Sequence, residues 1–315
     1  MRYTILFFAT LTLMACTRGK QTMLPDSGGR PYEVVLIGDS DSILYKVLTE
    51  PVTALPQPEP AFDVNIGTSM NATLRLARNI VVVEIDHKLK QIKVKYERNI
   101  YAEPQMIVHV STPSMELLHY AMQSQDATNN IRNLLKRNEI KNAITLLEHK
   151  HNTKLEAEVQ QMFGIDMRIP SDMRASKKGK DFIWISNDSP TAIANICIYT
   201  SENRDSVMKV NIKGETDDMY MTTTQGSIVT TDVSSDTDTL TIRRGLWEMH
   251  GDAMGGPFVQ HIIKHIDKHT TIVAEAFVYA PGTKKRNVLL NTEAALYTIQ
   301  PKQNNKWKTE KSAWQ

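Results

Sequence analysis

The sequence predicts an α+β protein built from mainly antiparallel sheets with helices packed on one side. Two patterns predict this fold class. Short runs of β-branched and apolar residues follow one another across tight turns, which favours antiparallel strands. One long central stretch instead repeats leucine and isoleucine at three- and four-residue steps, which is typical of an amphipathic helix. With 315 residues, the chain can bury one large core or two smaller ones.

The first fifteen residues are predicted to be a lipoprotein signal peptide. Arg2 is followed by an uncharged apolar run over 5–14, which is too short to cross a bilayer. The run ends in Ala15 and Cys16, and a small residue before a cysteine resembles the bacterial lipoprotein signal. That resemblance implies cleavage before Cys16 and acylation of the new N-terminus. An ordinary secretory peptide with a cysteine nearby by chance is the alternative.

The resemblance to bacterial lipoproteins also implies a location. Three acyl chains hold a protein permanently at a membrane, so we expect a lipid anchor in the outer membrane. Residues 16–30 are polar, contain Pro25 and two glycines, and are predicted to form a flexible tether. Surface-exposed lipoproteins of the Bacteroidota often carry acidic residues after the cysteine. Because Arg18 and Lys20 follow here instead, the protein is expected to face the periplasm.

Residues 31–162 are predicted to form an N-terminal α+β half. Its predicted strands are 32–37, 79–85, 91–98 and 105–110. Its predicted helices are 41–50, a short one at 70–77, and a helical segment over 114–162 that breaks near 152–153. Between them, the segment 55–62 (LPQPEPAF) contains three alternating prolines, which exclude a helix or a central strand.

Residues 163–300 are predicted to form a C-terminal α+β half, followed by a disordered polar tail over 301–315. Its predicted strands are 165–169, 182–185, 193–199, 257–266 and 270–279, with a turn at 177–180 and a helix over 284–297. The order strand, turn, strand, proline, helix occurs over both 80–120 and 258–297. This faint echo indicates either two divergent copies of one α+β unit or a coincidence.

Charge and cysteine content exclude several classes of protein. Without Arg2 and the tail, which holds four lysines and one glutamate, the body from residue 16 has 32 basic and 34 acidic side chains. A nearly neutral body gives no basic face for nucleic acid. With Cys16 acylated, Cys197 has no disulfide partner, and its apolar surroundings predict a buried, unreactive thiol. No phosphate-binding glycine loop or dinucleotide fingerprint is present, so no cofactor is expected.

Ser40 is the weak candidate for a catalytic nucleophile. The run VVLIGDS over 34–40 resembles the first block of the GDS-type serine hydrolases, in which Ser40 would attack and Gly38 would help bind the oxyanion. The sequence lacks the Asp and His three residues apart, and the Gly-x-Asn-Asp turn, that such enzymes also carry. A serine without a base is not activated. Capping of the following helix by Ser40 or Asp39 is the alternative.

Three histidines at four-residue spacing are weak candidates for a metal site. On a helix, His261, His265 and His269 would share a face and could begin a zinc site. The flanking residues favour a strand, in which four-residue steps separate side chains by about 13 Å. Solvent-facing histidines on an exposed sheet face are therefore expected, and no metal is expected.

Several segments together are distinctive. They are 55–62 (LPQPEPAF), 163–170 (FGIDMRIP), 220–223 (YMTT), 244–259 (RGLWEMHGDAMGGPFV) and 277–286 (FVYAPGTKKR). With them the chain, from about 32 to 299, resembles a Bacteroidota lipoprotein family known only as domain of unknown function 4837. The resemblance implies a lipoprotein and carries no established activity, so no catalytic residue can be transferred.

The part of the 244–259 block over 247–258 is the candidate binding surface, together with the segment 56–60. Large apolar side chains lie there beside polar ones, and three glycines allow close approach. The candidate residues are Trp247, Glu248, His250, Asp252 and Phe258. The alternative is a glycine-bulged strand pair whose aromatic side chains fill the core.

The sequence therefore predicts a lipid-anchored envelope protein that acts by binding or by supporting envelope assembly. Its expected partners are the membrane, reached through the N-terminal lipid, and an envelope protein, peptide or glycan. No nucleic acid is expected. The alternative function is an envelope hydrolase that uses Ser40 or a histidine-based metal site.

Overall fold

The computed structural model describes residues 23–234, 239–264 and 271–301, which form six helices and fifteen strands. The α+β fold class is confirmed, and most strand pairs are antiparallel. The predicted signal peptide, Cys16 and the predicted tail beyond residue 301 lie outside the described residues. None of the described helices is both long and apolar enough to cross a membrane.

Five strands form the first sheet: β1 (Glu33–Ile37), β2 (Asp63–Gly67), β3 (Asn79–Ile85), β4 (Lys93–Arg98) and β5 (Met106–Thr112). Their order across the sheet is β2-β1-β3-β5-β4. The first four in this order run parallel, and the edge strand β4 runs antiparallel to β5. The turn after β3 therefore does not join neighbouring strands, because β5 lies between β3 and β4. β2 was not expected from the sequence.

Helices cover one face of this first sheet: α1 (Ile43–Thr49), α2 (Met115–Ala121) and α3 (Gln125–His149). Their apolar side chains pack on Val34, Val81 and Val108 of the strands. The other face carries a smaller cluster, on which a single 3-10 turn over Leu74–Leu76 packs. Both faces are thus partly covered, which is why the central strands read as almost continuous apolar runs.

The helical region predicted over 114–162 is confirmed as α2, α3 and a further helix, α4 (Thr153–Phe163). The break falls where the sequence predicts it. The side-chain oxygen of Asn152 accepts a hydrogen bond from the backbone N–H of Leu155 at 3.2 Å. An asparagine at this position satisfies a free donor of the first helical turn and so begins a new helix.

The second sheet has eight antiparallel strands in the order β10-β12-β13-β14-β9-β8-β7, with β11 also paired to β12. They are β7 (Ala175–Gly179), β8 (Phe182–Ser186), β9 (Ile193–Tyr199), β10 (Tyr220–Thr223), β11 (Val229–Ser234), β12 (Thr239–His250), β13 (Gly255–Ile263) and β14 (Ile272–Tyr279). A short pair, β6 (Ile165–Asp166) with β15 (Gln300–Pro301), lies apart from both sheets.

Two more helices complete the fold: α5 (Arg204–Asn211) and α6 (Arg286–Leu296). α4 and α6 pack on one face of the second sheet, where Val159 and Leu289 are buried. α5 covers the other face through Met208. β9 and β14 are consequently buried on both faces. The sequence did not predict α5, because its polar residues mask the one apolar stripe that it buries.

The predicted turn at 177–180 falls later in the chain. Residues 177–179 end strand β7, which pairs with β8, and the turn lies at Lys180 and Asp181. The echo between 80–120 and 258–297 does not extend to strand pairing, because β3 pairs in parallel with β5 whereas β13 pairs antiparallel with β14.

The predicted tether over 16–30 also needs correction. Ser27 donates a backbone hydrogen bond to the carbonyl oxygen of Glu103 at 3.0 Å, and Gly28 donates one to Leu76 at 2.8 Å. The carbonyl oxygen of Pro25 accepts from the N–H of Glu103 at 2.9 Å. Residues 25–29 therefore belong to the globule, since backbone pairing fixes their position.

The proline-rich segment and the start of α6 meet across the two halves. The buried carboxylate of Glu59 accepts hydrogen bonds from the backbone N–H groups of Lys285 at 2.7 Å and Arg286 at 3.1 Å. These donors have no partner within the helix itself. A residue far away in sequence therefore caps α6, which joins two segments that the sequence singles out.

Arg286 strengthens the same junction. Its guanidinium donates to the carboxylate of Asp63 at 2.6 Å and to the carbonyl oxygen of Pro60. Burial alone would raise the pKa of Asp63, but the hydrogen bond and charge of Arg286 hold that pKa below its usual value. The ion pair therefore ties the start of β2 to the start of α6.

Replacing the capping carboxylate should loosen this junction. We expect Glu59→Ala to lower the free energy of unfolding by about 2 kcal/mol, because two buried N–H groups lose their acceptor. Urea denaturation followed by circular dichroism measures the change. The matched control is Glu84→Ala, at an exposed position of β3. Equal stability of the two variants would contradict the assigned role of Glu59.

Candidate functional site

The predicted binding block folds as the hairpin of β12 and β13. The hairpin turns over 251–254, where the N–H of Met249 donates to the carbonyl oxygen of Met254 at 2.8 Å. A Cβ atom at Gly256 would overlap the carbonyl oxygen of Val278. Glycine there lets the indole N–H of Trp247 reach that same oxygen at 3.3 Å. Gly256 is thus needed for close packing beside β14.

Two of the five candidate binding residues are not on the surface. Trp247 and Phe258 are buried with Phe277 in the cluster beneath α5. The Trp247 and Phe277 rings meet edge to face with their centroids 5.7 Å apart. This arrangement corrects the expectation of a surface that includes both aromatic residues. They face inward because alternate side chains of β12 and β13 point to the covered side of the sheet.

The other three candidate residues, Glu248, His250 and Asp252, are exposed. The His250 ring stacks on Tyr220 of the paired strand β10, with centroids 4.8 Å apart and planes 8° apart. The ammonium group of Lys209, from α5, lies 4.5 Å from the centroid of the Tyr220 ring. We call Lys209, Tyr220, Glu248 and His250 the stacked surface.

Hydrogen bonds hold the stacked surface in place. A ring nitrogen of His250 lies 3.2 Å from the carbonyl oxygen of Asp218. The Glu248 carboxylate accepts from the hydroxyl of Thr224 at 2.8 Å. No hydrogen bond among the described residues connects this surface to the segment 56–60, whose Glu59 is occupied at α6. The two parts of the predicted surface are therefore separate features.

A buried carboxylate on the α6 side was not expected from the sequence. Glu293 accepts from the guanidinium of Arg244 at 2.5 Å and from the hydroxyl of Tyr297 at 3.0 Å. His261 lies 3.4 Å from the same oxygen. Burial alone would raise the pKa of Glu293, but the Arg244 charge and the His261 contact hold it well below its usual value. The carboxylate is therefore ionised and paired with Arg244.

His261 is buried, so the expectation of a solvent-facing histidine is wrong. It lies on the side of β13 that faces α6, and its ring packs edge to face on Tyr297 at 4.5 Å. Burial lowers its pKa, which keeps the imidazole neutral at pH 7. His265 and His269 lie outside the described residues. No group of three or more potential metal-binding side chains occurs in the described part of the chain.

Lys136 of α3 adds a third basic group to this cluster. It is partly buried, and burial together with the Arg244 charge lowers its pKa to about 8, although Glu293 opposes the shift. A lysine is usually protonated up to about pH 10. Lys136 thus lies within the electrostatic influence of this ion pair, and α3 of the first half packs against α6 of the second.

A second buried carboxylate lies on the opposite face of the same sheet. Glu275 accepts from Arg204 at 2.8 Å, from the hydroxyl of Tyr199 at 2.9 Å and from Gln260 at 3.2 Å. The Arg204 guanidinium also lies 4.0 Å from the centroid of the Phe258 ring. The sequence signal for both sites is a single glutamate inside an apolar run, AEAF over 274–277 and TEAAL over 292–296. Such a charge requires a buried partner.

The GDS segment has a structural explanation. The Asp39 carboxylate caps α1 by accepting from the backbone N–H groups of Ile43 at 3.0 Å and Tyr45 at 2.8 Å. Gly38 has φ +80°, and a Cβ there would overlap the carbonyl oxygen of Val83. The exposed Ser40 hydroxyl contacts only the neighbouring Asp41, at 3.0 Å, among the described residues. Asp39, rather than Ser40, is therefore the cap.

Cys197 is fully buried in β9, as the sequence predicts. Burial and the neighbouring Glu275 raise the pKa of its thiol well above the usual value, which keeps it protonated and unreactive. Together with the paired carboxylates, this leaves the stacked surface as the candidate site. Its groups can bind a ligand through ring faces, a cation and a carboxylate.

The buried histidine should give the protein a measurable pH dependence. In the unfolded chain His261 takes up a proton near pH 6.5, whereas in the folded protein its lowered pKa resists protonation. Stability should therefore fall as pH decreases below about 6.5, by at most about 1.4 kcal/mol per pH unit for one proton. Urea denaturation between pH 7.5 and 5.5 should show a shallower fall for His261→Gln.

The control for this experiment is His119→Gln, at an exposed position of α2. It should retain the wild-type slope of stability against pH. An unchanged slope in His261→Gln would show that the buried imidazole does not determine the pH dependence.

Two family models match parts of the chain, and both describe domains of unknown function. No curated protein matches the chain. Residues 27–148 match a second domain of unknown function (DUF8532). The model of the family expected from the sequence, domain of unknown function 4837, matches residues 152–298. This span is shorter than the one from about 32 to 299 that the sequence predicts. The C-terminal half of this chain, over residues 152–298, therefore resembles the domain of unknown function DUF4837.

Proposed function

We propose that the protein is a lipid-anchored envelope protein that acts by binding a partner rather than by catalysing a reaction. In this proposal, acyl chains on Cys16 anchor it in the outer membrane, and the globule faces the periplasm. The partner is another component of the envelope: a protein, a peptide or a glycan. The single observation that carries the binding role is the stacked surface beside the β12–β13 turn.

The stacked surface has the properties of a preorganised binding site. Tyr220 and His250 come from adjacent strands and hold each other parallel, so little side-chain freedom is lost when a ligand arrives. Lys209 and Glu248 supply charges of opposite sign at the rim. Beneath it, the buried Trp247 fixes the hairpin. Tyrosine in such surroundings contributes large contact area with few rotatable bonds.

The interior supports a binding role over a catalytic one. On the second sheet, the buried carboxylates of Glu275 and Glu293 are each paired with an arginine and bound by further side chains, so both already have structural partners. Ser40 has a carboxylate neighbour and no basic partner among the described residues. A serine hydrolase requires a base within hydrogen-bond distance of the nucleophile. The hydrolase alternative therefore has no geometric support in the described region.

The anchor is tested by removing the acylated thiol. We expect Cys16→Ser to move the protein from the detergent phase to the aqueous phase in detergent partitioning, because the chains that hold it are lost. Cys197→Ser is the matched control and should partition as the wild type does. If Cys16→Ser still enters the detergent phase, the proposed anchor is wrong.

The binding role is tested by site-specific photo-crosslinking in cells. A photoreactive residue placed at Asp252, beside the stacked surface, should yield discrete adducts. The same residue placed at Glu148, an exposed position of α3, is the control and should yield few. Tyr220→Ala should reduce the Asp252 adducts several-fold, since the stack loses one ring. Equal adducts at both positions, or no effect of Tyr220→Ala, would contradict the proposal.

A further inference from the structure

The chain joins the globule at one end of the first sheet. Backbone hydrogen bonds of Pro25 and Ser27 to Glu103, and of Gly28 to Leu76, fix this point. It lies at the amino ends of the parallel strands β1, β3 and β5, because Gly28 bridges to Ala77, two residues before β3. Within the described residues, Pro25 is the first whose backbone is hydrogen-bonded to the rest of the globule.

Only eight residues, 17–24, separate Cys16 from Pro25. Nine steps of the chain can span at most about 30 Å, even when fully extended. A flexible chain of that length has an end-to-end distance of about 16 Å. If Cys16 carries acyl chains buried in a bilayer, this end of the globule cannot move further than about 30 Å from the membrane surface.

The same end of the globule exposes apolar and aromatic side chains. Tyr96, Ile100 and Tyr101 are 52%, 43% and 41% exposed. They lie at the carboxyl end of β4 and in the following loop. This places them beside the paired segment, because Arg98 pairs with Met106 at the amino end of β5.

Two arginines accompany these side chains. The guanidinium of Arg98 lies 5.4 Å from the centroid of the Tyr96 ring, and that of Arg75 lies 5.9 Å from the Tyr101 ring. The side chain of Gln105 donates to the carbonyl oxygen of Arg75 at 2.8 Å. This hydrogen bond links the residue before β5 to the 3-10 turn that contains Arg75. We call Arg75, Tyr96, Arg98, Ile100 and Tyr101 the tether face.

The composition of the tether face matches a headgroup layer. Tyrosine is enriched where one end of the ring is apolar and the other meets water, and arginine can bind phosphate through several N–H groups. Lys93 and Lys95 alternate with Tyr96 and Arg98 along β4 and therefore point to its other face, so they do not belong to the tether face. Asp26 and Glu103 lie nearby and offset part of the arginine charge, although Asn99 occupies the Glu103 carboxylate at 2.8 Å. The aromatic and apolar contacts therefore dominate over net charge.

We propose that the tether face lies against the phospholipid headgroups and orients the anchored protein on the membrane. This inference rests on the proposed anchoring at Cys16. The short connection holds the tether face at a high local concentration beside the lipid, so individually weak contacts are enough to keep it bound. The aromatic rings enter the headgroup layer, and the two arginines meet lipid phosphate.

The test uses the mature chain, residues 16–315, coupled through Cys16 to a maleimide-bearing phospholipid in vesicles. The vesicles contain seven parts phosphatidylcholine to three parts phosphatidylglycerol. Cys197 is fully buried and does not compete for the maleimide. The reference is the same protein with Cys16 capped by a soluble maleimide. Hydroxyl-radical footprinting then reports the solvent accessibility of individual tyrosines.

On vesicles, the modification rates of Tyr96 and Tyr101 should fall several-fold relative to the reference. Tyr120 of α2, which is 72% exposed, is the matched control and should be modified at an unchanged rate. In the double variant Ile100→Asp/Tyr101→Asp, the protection of Tyr96 should be lost. Unchanged rates at Tyr96 and Tyr101, or an equal fall at Tyr120, would overturn the proposal.

This design separates the two proposals. Chemical coupling supplies the anchor whether or not the cell acylates Cys16. A negative footprint therefore refutes the tether face alone, whereas detergent partitioning of Cys16→Ser tests the anchor alone.

Discussion

The fold depends on one buried ion pair, between Glu293 of α6 and Arg244 of β12. Burial of two charges is tolerated only when most of their hydrogen bonds are kept. Here Tyr297 and His261 contact the same carboxylate oxygen as Arg244, whereas one guanidinium nitrogen of Arg244 has no partner among the described residues. The carboxylate thereby fixes the position of α6 over the second sheet. Lys136 of α3 lies near the same ion pair. The helix α3 also packs on the first sheet, so a helix rather than a strand connects the two sheets.

The second ion pair, Glu275 with Arg204, fixes α5 on the other face of the second sheet. Because the central strands of the second sheet carry a charge toward each side, α5 and α6 have specific partners in addition to apolar contacts. Buried polar groups with complete hydrogen bonding specify one arrangement where apolar packing alone would allow several. The buried polar groups thus stabilise the fold, and exposed groups such as Tyr220 and His250 are the ones that can bind a partner.

The sequence predicted the fold class and most of the long elements, because local periodicity determines them. Asn152 begins α4 as its residue type indicates, and Cys197 is buried as its apolar neighbours require. Periodicity could not reveal that β5 inserts beside β3, since strand order depends on contacts distant in sequence. The same limit explains why His261 was expected on the surface and Trp247 at a binding site. Which side of a strand is covered depends on helices elsewhere in the chain.

The cap of α6 by Glu59 has a consequence for how the molecule is assembled. The two partners are 226 residues apart along the chain, so the segment that follows α1 is synthesised long before the helix that it completes. Contacts of such separation close late, because a large loop must be ordered first. Until residue 286 has been synthesised, the Glu59 carboxylate has no helix to cap and cannot be buried against α6. A chain that ends before residue 285 therefore lacks the backbone donors that hold the Glu59 carboxylate in the interior.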